Sequence, residues 1–530
     1  MRGRWKLAAR AAAAGAAIAI CWLPAGLAPL APLAFLLALR GLRAVGNDRE
    51  ALIFGGVYGI SRYAVASHFL LALLRYSPLA IVFYLLAMLF ILPFGLLEGW
   101  GSLRLEKRFG LPRAIGFAIL YSGGEWLRSL GDLSFPADLI AHGFGSVPAW
   151  LWVSSVTGPF GFTGFAIAVA VLADLAIEER ARFARVAAAL AALALWTLPP
   201  IVDAVARPRS ENGGELRIAI VQPVVAVEDK LTRERWPLLR EKLEKLTLEA
   251  ARGADLVVWP ETARPGPLVW KDPAPFGDPD MEALATRASV PILYGCEIAR
   301  VRDGRVRALY NGAALVRPGG GGDAWYGKQH LLPLVEGIPF ASAFGWDPAA
   351  HAKGSGDRGS FLTLMGNFVP GPTPTIFEIG PARLGVLICY EGMYPSLARR
   401  YRRAGANALV VLTNDAWWGH SVFPAWHARM VAERARELDI PVIRAANSGI
   451  SSVTDRFGRT GDATHLGETT ILRQTVRLGS PRTTFYARHG DLPAAIVGLV
   501  LAVGIARFDA LPGRGRSAVR GDRGRQAEFA

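Results

Sequence analysis

In Arg383-Leu-Gly-Val-Leu-Ile-Cys389-Tyr390-Glu391-Gly-Met-Tyr394-Pro395 an apolar run ends on a cysteine. Leu384 to Ile388 have the length and composition of a buried strand, and polar and turn residues begin directly after it. A thiol at a strand-to-helix turn meets substrate while its backbone stays rigid, and the N–H groups that follow point at a developing oxyanion. Taken alone, a cysteine is more often a small buried hydrophobe. The chain around Cys389 decides between the two.

Outward from that strand, strand-like and helical runs alternate between about 215 and 480. Leu216–Gln222, Leu256–Trp259, Val290–Tyr294, Ala313–Val316, Thr375–Ile379, Ala408–Leu412 and Val442–Arg444 read as strands. Leu231–Arg252, Asp280–Ala288 and Trp426–Leu438 read as helices. This alternation predicts a layered α/β domain with helices packed on sheet faces. No Gly-rich nucleotide-binding loop occurs, so nucleotide binding has no support.

The upstream part has another texture. Across the 530 residues, 52% are apolar and only 19% charged, with a mean hydropathy of +0.28, too high for an ordinary soluble enzyme. Apolar runs near 8–25, 27–41, 51–74, 77–98, 112–130, 158–177 and 185–204 read as membrane spans, several close to the ~20 residues that cross a hydrocarbon core. The first resembles a signal peptide, with a basic start and an alanine-rich centre, but more apolar sequence follows at once and a retained span is preferred. The expected organisation is a seven-span domain over 1–207, a linker at 208–214, a catalytic domain at 215–480, a final span within 481–510 and a basic tail at 511–530.

Charge orients the spans. Arg2, Arg4, Lys6 and Arg10 open the chain; Arg40, Arg43 and Arg49, then Arg104, Lys107, Arg108 and Arg113, then Arg180, Arg182 and Arg185 mark alternate loops. That pattern predicts cytoplasmic N- and C-termini and an α/β domain on the opposite side. The net charge, 59 − 44 = +15, lies in loops and at the ends, with no aromatic-interleaved patch. It suits anionic lipid, not nucleic acid. Cys21, Cys296 and Cys389 are scattered, with no metal or disulfide spacing. Arg62 and His68 lie inside an apolar run, where a charge either serves a function or snorkels. Glu125-Trp126-Leu127-Arg128 precedes the aromatic loop Gly131–Thr157, read as an interfacial belt or a lipid-entry mouth.

Two polar residues of the α/β half suit the chemistry of Cys389. Glu261 follows Val257-Val258-Trp259-Pro260, and a carboxylate there takes a thiol's proton. Lys328, in Trp325-Tyr326-Gly327-Lys328-Gln329-His330-Leu331-Leu332-Pro333, supplies a cation for an oxyanion. Singly, Glu261 reads as a helix N-terminal acid and Lys328 as a surface cation.

Together and in this order, Trp-Pro-Glu261, Tyr-Gly-Lys328-Gln-His-Leu-Leu-Pro and Ile-Cys389-Tyr-Glu-Gly-Met-Tyr-Pro resemble the nitrilase superfamily, with its Glu-Lys-Cys triad. Leu412-Thr-Asn414-Asp-Ala-Trp417-Trp418-Gly419 and Arg444-Ala-Ala-Asn447-Ser-Gly-Ile-Ser451 extend the likeness. With spans on both sides, the whole chain resembles the apolipoprotein N-acyltransferase family. The resemblance implies a four-layer α-β-β-α sandwich carried by a helical domain of about eight spans in the bacterial inner membrane. It implies acyl transfer from a phospholipid, through a Cys389 thioester, to the N-terminal amine of a diacylated apolipoprotein. Glu336, Tyr390 and Glu391 are then expected to support the triad or the oxyanion. Trp417, Trp418, Asn414, His427, Trp126 and Arg128 are substrate-binding candidates, although a core role suits the tryptophans nearly as well. No cofactor or metal is expected, and the enzyme is expected to act as a monomer. The family pattern changes at Ser134–Ala137, Gln222–Val224 and Leu334–Pro339, and 344–371 reads as a long Gly-rich flap. Two rival readings use the same residues: a membrane-tethered amidase with water as acceptor, and a non-catalytic membrane binding module.

Overall fold

A computed structural model describes residues 2–22, 26–205, 213–272, 274–321, 324–340 and 368–491. Most of the flap at 344–371, most of the linker at 208–214, residues 492–510 of the expected final span and the basic tail lie outside the described residues.

Every upstream apolar run becomes helical: α1 (Arg2–Ile20), α2 (Ala31–Arg43), α3 (Asp48–Ala66), α4 (Ala80–Leu96), α5 (Ser102–Phe109), α6 (Arg113–Leu127), α7 (Ser154–Glu178) and α8 (Arg182–Val205). Among the described residues, three helical stretches are long and apolar enough to cross a membrane. They are Ala80–Phe109, where a π-turn joins α4 to α5, then α7 and α8. A fourth counts if α3 and the 3-10 segment His68–Arg75, bent by 47°, form one span. The run expected at 51–74 therefore breaks at Ser67. Leu85, Leu89, Leu190 and Leu193 stand exposed, an apolar outer wall of the kind lipid covers. Gly55 and Gly59 of α3 meet Gly95 and Gly99 so closely that a Cβ on Gly55 would lie 2.3 Å from the Gly95 carbonyl oxygen. Small residues four apart let helix backbones touch where lipid supplies no hydrophobic drive.

Arg62 lies fully buried and does not snorkel: its guanidinium meets Glu98 at 3.1 Å and covers the Tyr121 ring. The 3-10 turns between 136 and 152 fill the loop after α6.

The second half is a sandwich of two sheets. Its elements run β1 (Glu215–Gln222), α9 (Val227–Leu231), α10 (Trp236–Ala250), β2 (Leu256–Val258), β3 (Leu268–Lys271), α11 (Pro279–Ala288), β4 (Ile292–Arg302), β5 (Arg305–Val316) and β6 (Ala324–Gly327). Then follow β7 (Ile376–Ile379), β8 (Ala382–Ile388), α12 (Pro395–Arg403), β9 (Ala408–Thr413), α13 (Phe423–Leu438), β10 (Val442–Ala446), β11 (Ser452–Thr454), β12 (Thr460–Ala463), β13 (Thr470–Arg477) and α14 (Phe485–His489). One sheet has the order β13-β1-β2-β4-β5-β6, with β3 beside β4; the other runs β12-β11-β10-β9-β8-β7.

The period-2 alternation of a strand builds the layers. On β1, Leu216, Ile218 and Ile220 point to the core shared with Leu384, Val386 and Leu409 of the facing sheet. Ala219 and Val221 point the other way, onto Leu243 of α10 and Leu284 of α11. Helices α12 and α13 cover the outer face of the second sheet, giving the expected α-β-β-α order. Helix α13 also packs on the 3-10 segment Ile140–Ser146 and on α7, so it joins the two halves. The helix expected from Leu231 begins instead at Trp236, with Pro237 in its first turn, where a missing N–H costs nothing. Strands β3, β6, β11, β12 and β13 were not foreseen, and the expected Val290–Tyr294 strand is the start of the longer β4.

Candidate active site

Parallel strands β8 and β9 end side by side at the carboxyl edge of the second sheet, and the turns after them build one wall of a cavity. Cys389 follows β8 directly and holds φ 53°, a left-handed conformation that non-glycine residues adopt only where the surroundings enforce it. Glu391 enforces it. Its carboxylate accepts from Ile388 N at 2.8 Å, Gln329 N at 2.7 Å, His330 N at 3.0 Å and the Tyr326 hydroxyl at 2.8 Å. The elbow that carries the cysteine is thus tied to the loop that carries Lys328. Burial pushes the Glu391 carboxyl up to about 7, against the Lys328 charge and the three backbone N–H donors, which favour its ionised form.

Glu261 stands across the cavity from that wall, just beyond β2. Its Oε1 accepts from Asn311 Nδ2 at 2.8 Å and its Oε2 from Asn414 N at 2.8 Å. The next residue, Thr262, has φ 46°, so the Glu261 carboxylate and the Cys389 thiol both sit at strained turns. Burial raises the Glu261 carboxyl, with Lys328 opposing. Lys328 Nζ lies 2.7 Å from Glu336 Oε2, 2.9 Å from Glu336 Oε1 and 3.9 Å from Glu261 Oε1. Burial works against its ammonium, but the two glutamates outweigh burial and keep it charged. Asn311 Nδ2 also donates to Glu336 Oε1 at 2.9 Å, so one amide spans both carboxylates. The Cys389 thiol is raised by burial first and by Glu261 next, with Lys328 pulling the other way; it rests as a neutral thiol.

The cavity holds about 230 Å³ and is lined by Glu261, Lys328, Glu336, Cys389, Tyr390, Asn414, Trp417 and Trp418, with Leu73 reaching in from the helical half. Trp418 belongs to an aromatic cluster with Phe69, 5.3 Å away, and Phe423, 4.4 Å away, while Trp417 rests on Tyr76. The Tyr390 and Tyr394 hydroxyls both donate to the Ser134 carbonyl oxygen, and Phe135 stacks on Tyr390. The loop after α6 therefore braces the residue next to the thiol.

Of the remaining candidates, only Asn414 touches the cavity. The Asn414 side chain turns away to Asn447 Nδ2, 2.9 Å off; its backbone N–H holds Glu261. His427 is buried behind the wall, 3.2 Å from Asp415 Oδ1 and 3.1 Å from Arg444. Arg128 is buried against Asp138 at 2.8 Å, and half-exposed Trp126 lies beside it in sequence; neither lines the cavity. Asn311, Tyr326 and Lys230 are the site residues that sequence reasoning missed. Of the three, Tyr326 alone lies in the run around Lys328 that resembles the nitrilase superfamily.

A two-sheet sandwich with a cysteine on a strained strand-end elbow, faced by a buried carboxylate and a lysine, is a carbon-nitrogen hydrolase domain, and residues 217–484 match that family. Residues 14–172 match the apolipoprotein N-acyltransferase N-terminal domain. The chain is 29% identical over 496 residues to the apolipoprotein N-acyltransferase of Geobacter metallireducens, covering 90% of each chain. It is 32% identical over 418 residues to that of Brucella melitensis biotype 1, covering 74% of each. With that of Azotobacter vinelandii it shares 30% over 463 residues, 85% of each. This chain belongs to the apolipoprotein N-acyltransferase family, and lipoprotein N-acylation fits its carbon-nitrogen hydrolase fold.

Proposed function

We propose that the protein moves an acyl chain from a membrane phospholipid to the N-terminal amine of a diacylated apolipoprotein, by way of a thioester on Cys389. The observation that carries this reading is that Glu261, Lys328 and Cys389 share one cavity with Leu73 of the helical half. Because the thiol rests neutral, Glu261 takes its proton as Sγ attacks the phospholipid ester carbonyl. The developing oxyanion is met by the Lys328 ammonium and the Tyr390 N–H. Collapse breaks the ester C–O bond, and Glu261 returns the proton to the lysophospholipid leaving oxygen. The acceptor amine then attacks the thioester, Glu261 takes the proton from that nitrogen, and the Cys389 thiol is restored.

Asn311, Glu336 and Glu391 act by position: the first two hold Glu261 and Lys328, the third locks the elbow. Trp417 and Trp418 form the apolar mouth that receives acyl chains, continuous with Phe69 and Leu73. The helical half spans the bacterial inner membrane seven times, with an eighth span in the 481–510 region. Both termini are cytoplasmic and the sandwich faces outward. The enzyme works as a monomer, without metal or organic cofactor.

The test is the mass of a synthetic diacylated lipopeptide incubated with the protein and phospholipid. Acyl transfer gives the triacyl product and a trappable acyl-enzyme, and Cys389→Ala abolishes both. Small-amide hydrolysis without a triacyl product, or an acyl adduct persisting on Cys389→Ala, would overturn the reading.

A further inference from the structure

Arg75 is a charged residue in an apolar setting, and the acyl-transfer chemistry gives it no task. It ends the 3-10 segment His68–Arg75, with Leu71 and Leu74 exposed before it and Leu79 exposed after it. Exposed leucines around one exposed arginine suit the boundary where lipid tails meet headgroups. In the topology proposed above, that boundary is the outward one, on the side of the sandwich. The guanidinium is seated there by several contacts. Its Nη2 donates to the Ala416 carbonyl oxygen and to the Tyr76 hydroxyl. The guanidinium carbon lies 4.5 Å from the centre of the Tyr76 ring, and Tyr76 stands edge-on against Trp417 of the cavity wall. Its Nη1 packs on Gly419, where φ is 50° and ψ −134° and an added Cβ would collide with it. Glycine takes that conformation at no steric cost, and other residues do not.

An arginine carries five N–H donors. Nη2 spends its own on Ala416 and Tyr76; those on Nε and Nη1 have no acceptor among the described residues, and no carboxylate there stands within ion-pair distance. The seat also lies at a suitable distance from the chemistry. Asn414 holds Glu261 through its N–H at 2.8 Å, and Ala416 follows two residues later in the 3-10 turn Asp415–Trp418. At about 2 Å of rise per residue, that turn puts the guanidinium roughly 10 Å from the Glu261 carboxylate. In a glycerophospholipid, six bonds separate the sn-1 ester carbonyl carbon from phosphorus. That is about 7 Å at full stretch, and a guanidinium nitrogen stands about 3–4 Å from the phosphorus it binds. The two lengths agree, so an ester carbonyl presented to Cys389 and Glu261 carries its phosphate to Arg75.

We propose that Arg75 binds the phosphate diester of the phospholipid acyl donor at the rim of the cavity, and so brings the sn-1 ester into register with Cys389. This rests on the acyl-transfer reading above. Arginine suits the task because its planar fork of N–H bonds matches two oxygens of one phosphate, where an ammonium is only a point charge. The contacts to Ala416, Tyr76 and Gly419 hold the side chain before lipid arrives, so little ordering is left to the binding step. An arginine that merely snorkels to the interface would meet the phosphates of any lipid and leave the choice of donor untouched.

The test is a cycle between residue and lipid, run on the full-length protein in a phosphate-free detergent, with thioester formation followed by intact mass. Three donors share the same acyl chains: a phosphatidyl lipid, its neutral methyl phosphotriester, and a diacylglycerol without phosphate. Wild-type protein is expected to use the diester about tenfold more efficiently, as kcat/KM, than either neutral donor. Arg75→Gln is expected to bring that ratio close to one whatever its absolute rates, with the loss against the diester falling on KM. Arg75→Lys should keep part of the ratio. Inorganic phosphate, set against chloride at equal ionic strength, is expected to leave diester use unchanged. Inhibition at lipid-like concentrations would make this a site for small anions and overturn the proposal. An unchanged donor ratio in Arg75→Gln would do the same, reducing Arg75 to a fastener of the Ala416–Gly419 turn. So would wild-type protein that uses the triester as well as the diester, a result that stands even if Arg75→Gln does not fold. Failure of the acyl-transfer reading shows differently, as wild-type protein that forms no thioester from any donor.

Discussion

Cys389 has a raised thiol pKa, its left-handed backbone is held by Glu391, and its proposed base is itself raised by burial. As the proposed nucleophile it keeps no standing thiolate, so its rate is expected to depend on Glu261 being ionised. The sign follows. A general base raised above the ordinary 4.5 of a glutamate loses function as pH falls through that raised value. The kcat/KM profile for thioester formation is expected to drop on its acid side at a pH above 4.5, and Glu261→Gln to remove the activity outright. Glu391→Gln tests the elbow. An amide offers one acceptor oxygen where the carboxylate has two, and turns N–H donors toward other donors. The change should cost about 2–3 kcal/mol of stability, read as a lowered denaturation midpoint, and most of the thioester yield. The three residues proposed as the triad were legible as candidates because each sits in a short, recognisable run of neighbours. Asn311 was not, because a single asparagine inside a strand carries no local signal. Its importance exists only where Glu261 and Glu336 converge on it.

Element by element, the sequence patterns tell strands from helices well where both faces are buried and poorly where they are not. Strands β8 and β9 are continuous apolar runs, buried along nearly their whole length, and their bounds were readable. Strand β12 is exposed throughout and β13 mostly half-exposed, with polar residues that no periodicity marks; pairing to β11 and β1 makes them strands. Close packing between elements is a second thing local patterns hide. A Cβ added at Gly295 on β4 would lie 2.4 Å from the Pro260 carbonyl oxygen and 2.6 Å from Glu261 Cα. Gly295→Ala therefore pushes the turn that carries the proposed base. Overpacking of this size destabilises by about 1–3 kcal/mol. The expected result is a folded protein whose thioester formation falls by far more than its thermal stability, measured by mass and by melting on one preparation. A melting drop with full activity would show that the turn can move without displacing the carboxylate.

At the scale of the whole molecule, helix α13 makes the two halves one structure. One of its sides lies on β10; the other receives Ile140–Ser146 and α7. The residues on that second side are charged. His142 Nδ1 lies 2.6 Å from Glu433, whose other contacts include Arg434 at 2.7 Å; Arg434 also meets Glu437 at 2.9 Å, and Arg436 reaches Asp203 of α8 at 2.6 Å. His142 Nε2 meets the Pro136 carbonyl oxygen at 2.9 Å, so the ring is held from both nitrogens. Buried ions are tolerated only with all their partners, and removing one partner leaves an uncompensated charge worth about 3–5 kcal/mol. No sequence pattern shows this, since the partners lie 291 residues apart. The sandwich is thus not an independent domain fastened to an anchor. Expressed without residues 1–207, it should aggregate or bind hydrophobic dye, because Glu433, Trp426 and Met430 lose their cover. Co-expression of the two halves should restore solubility and thioester formation together. A soluble, monomeric sandwich that forms the thioester alone would show that the helical half supplies lipid access only, and not the bracing of Tyr390 by Ser134 that the packing implies.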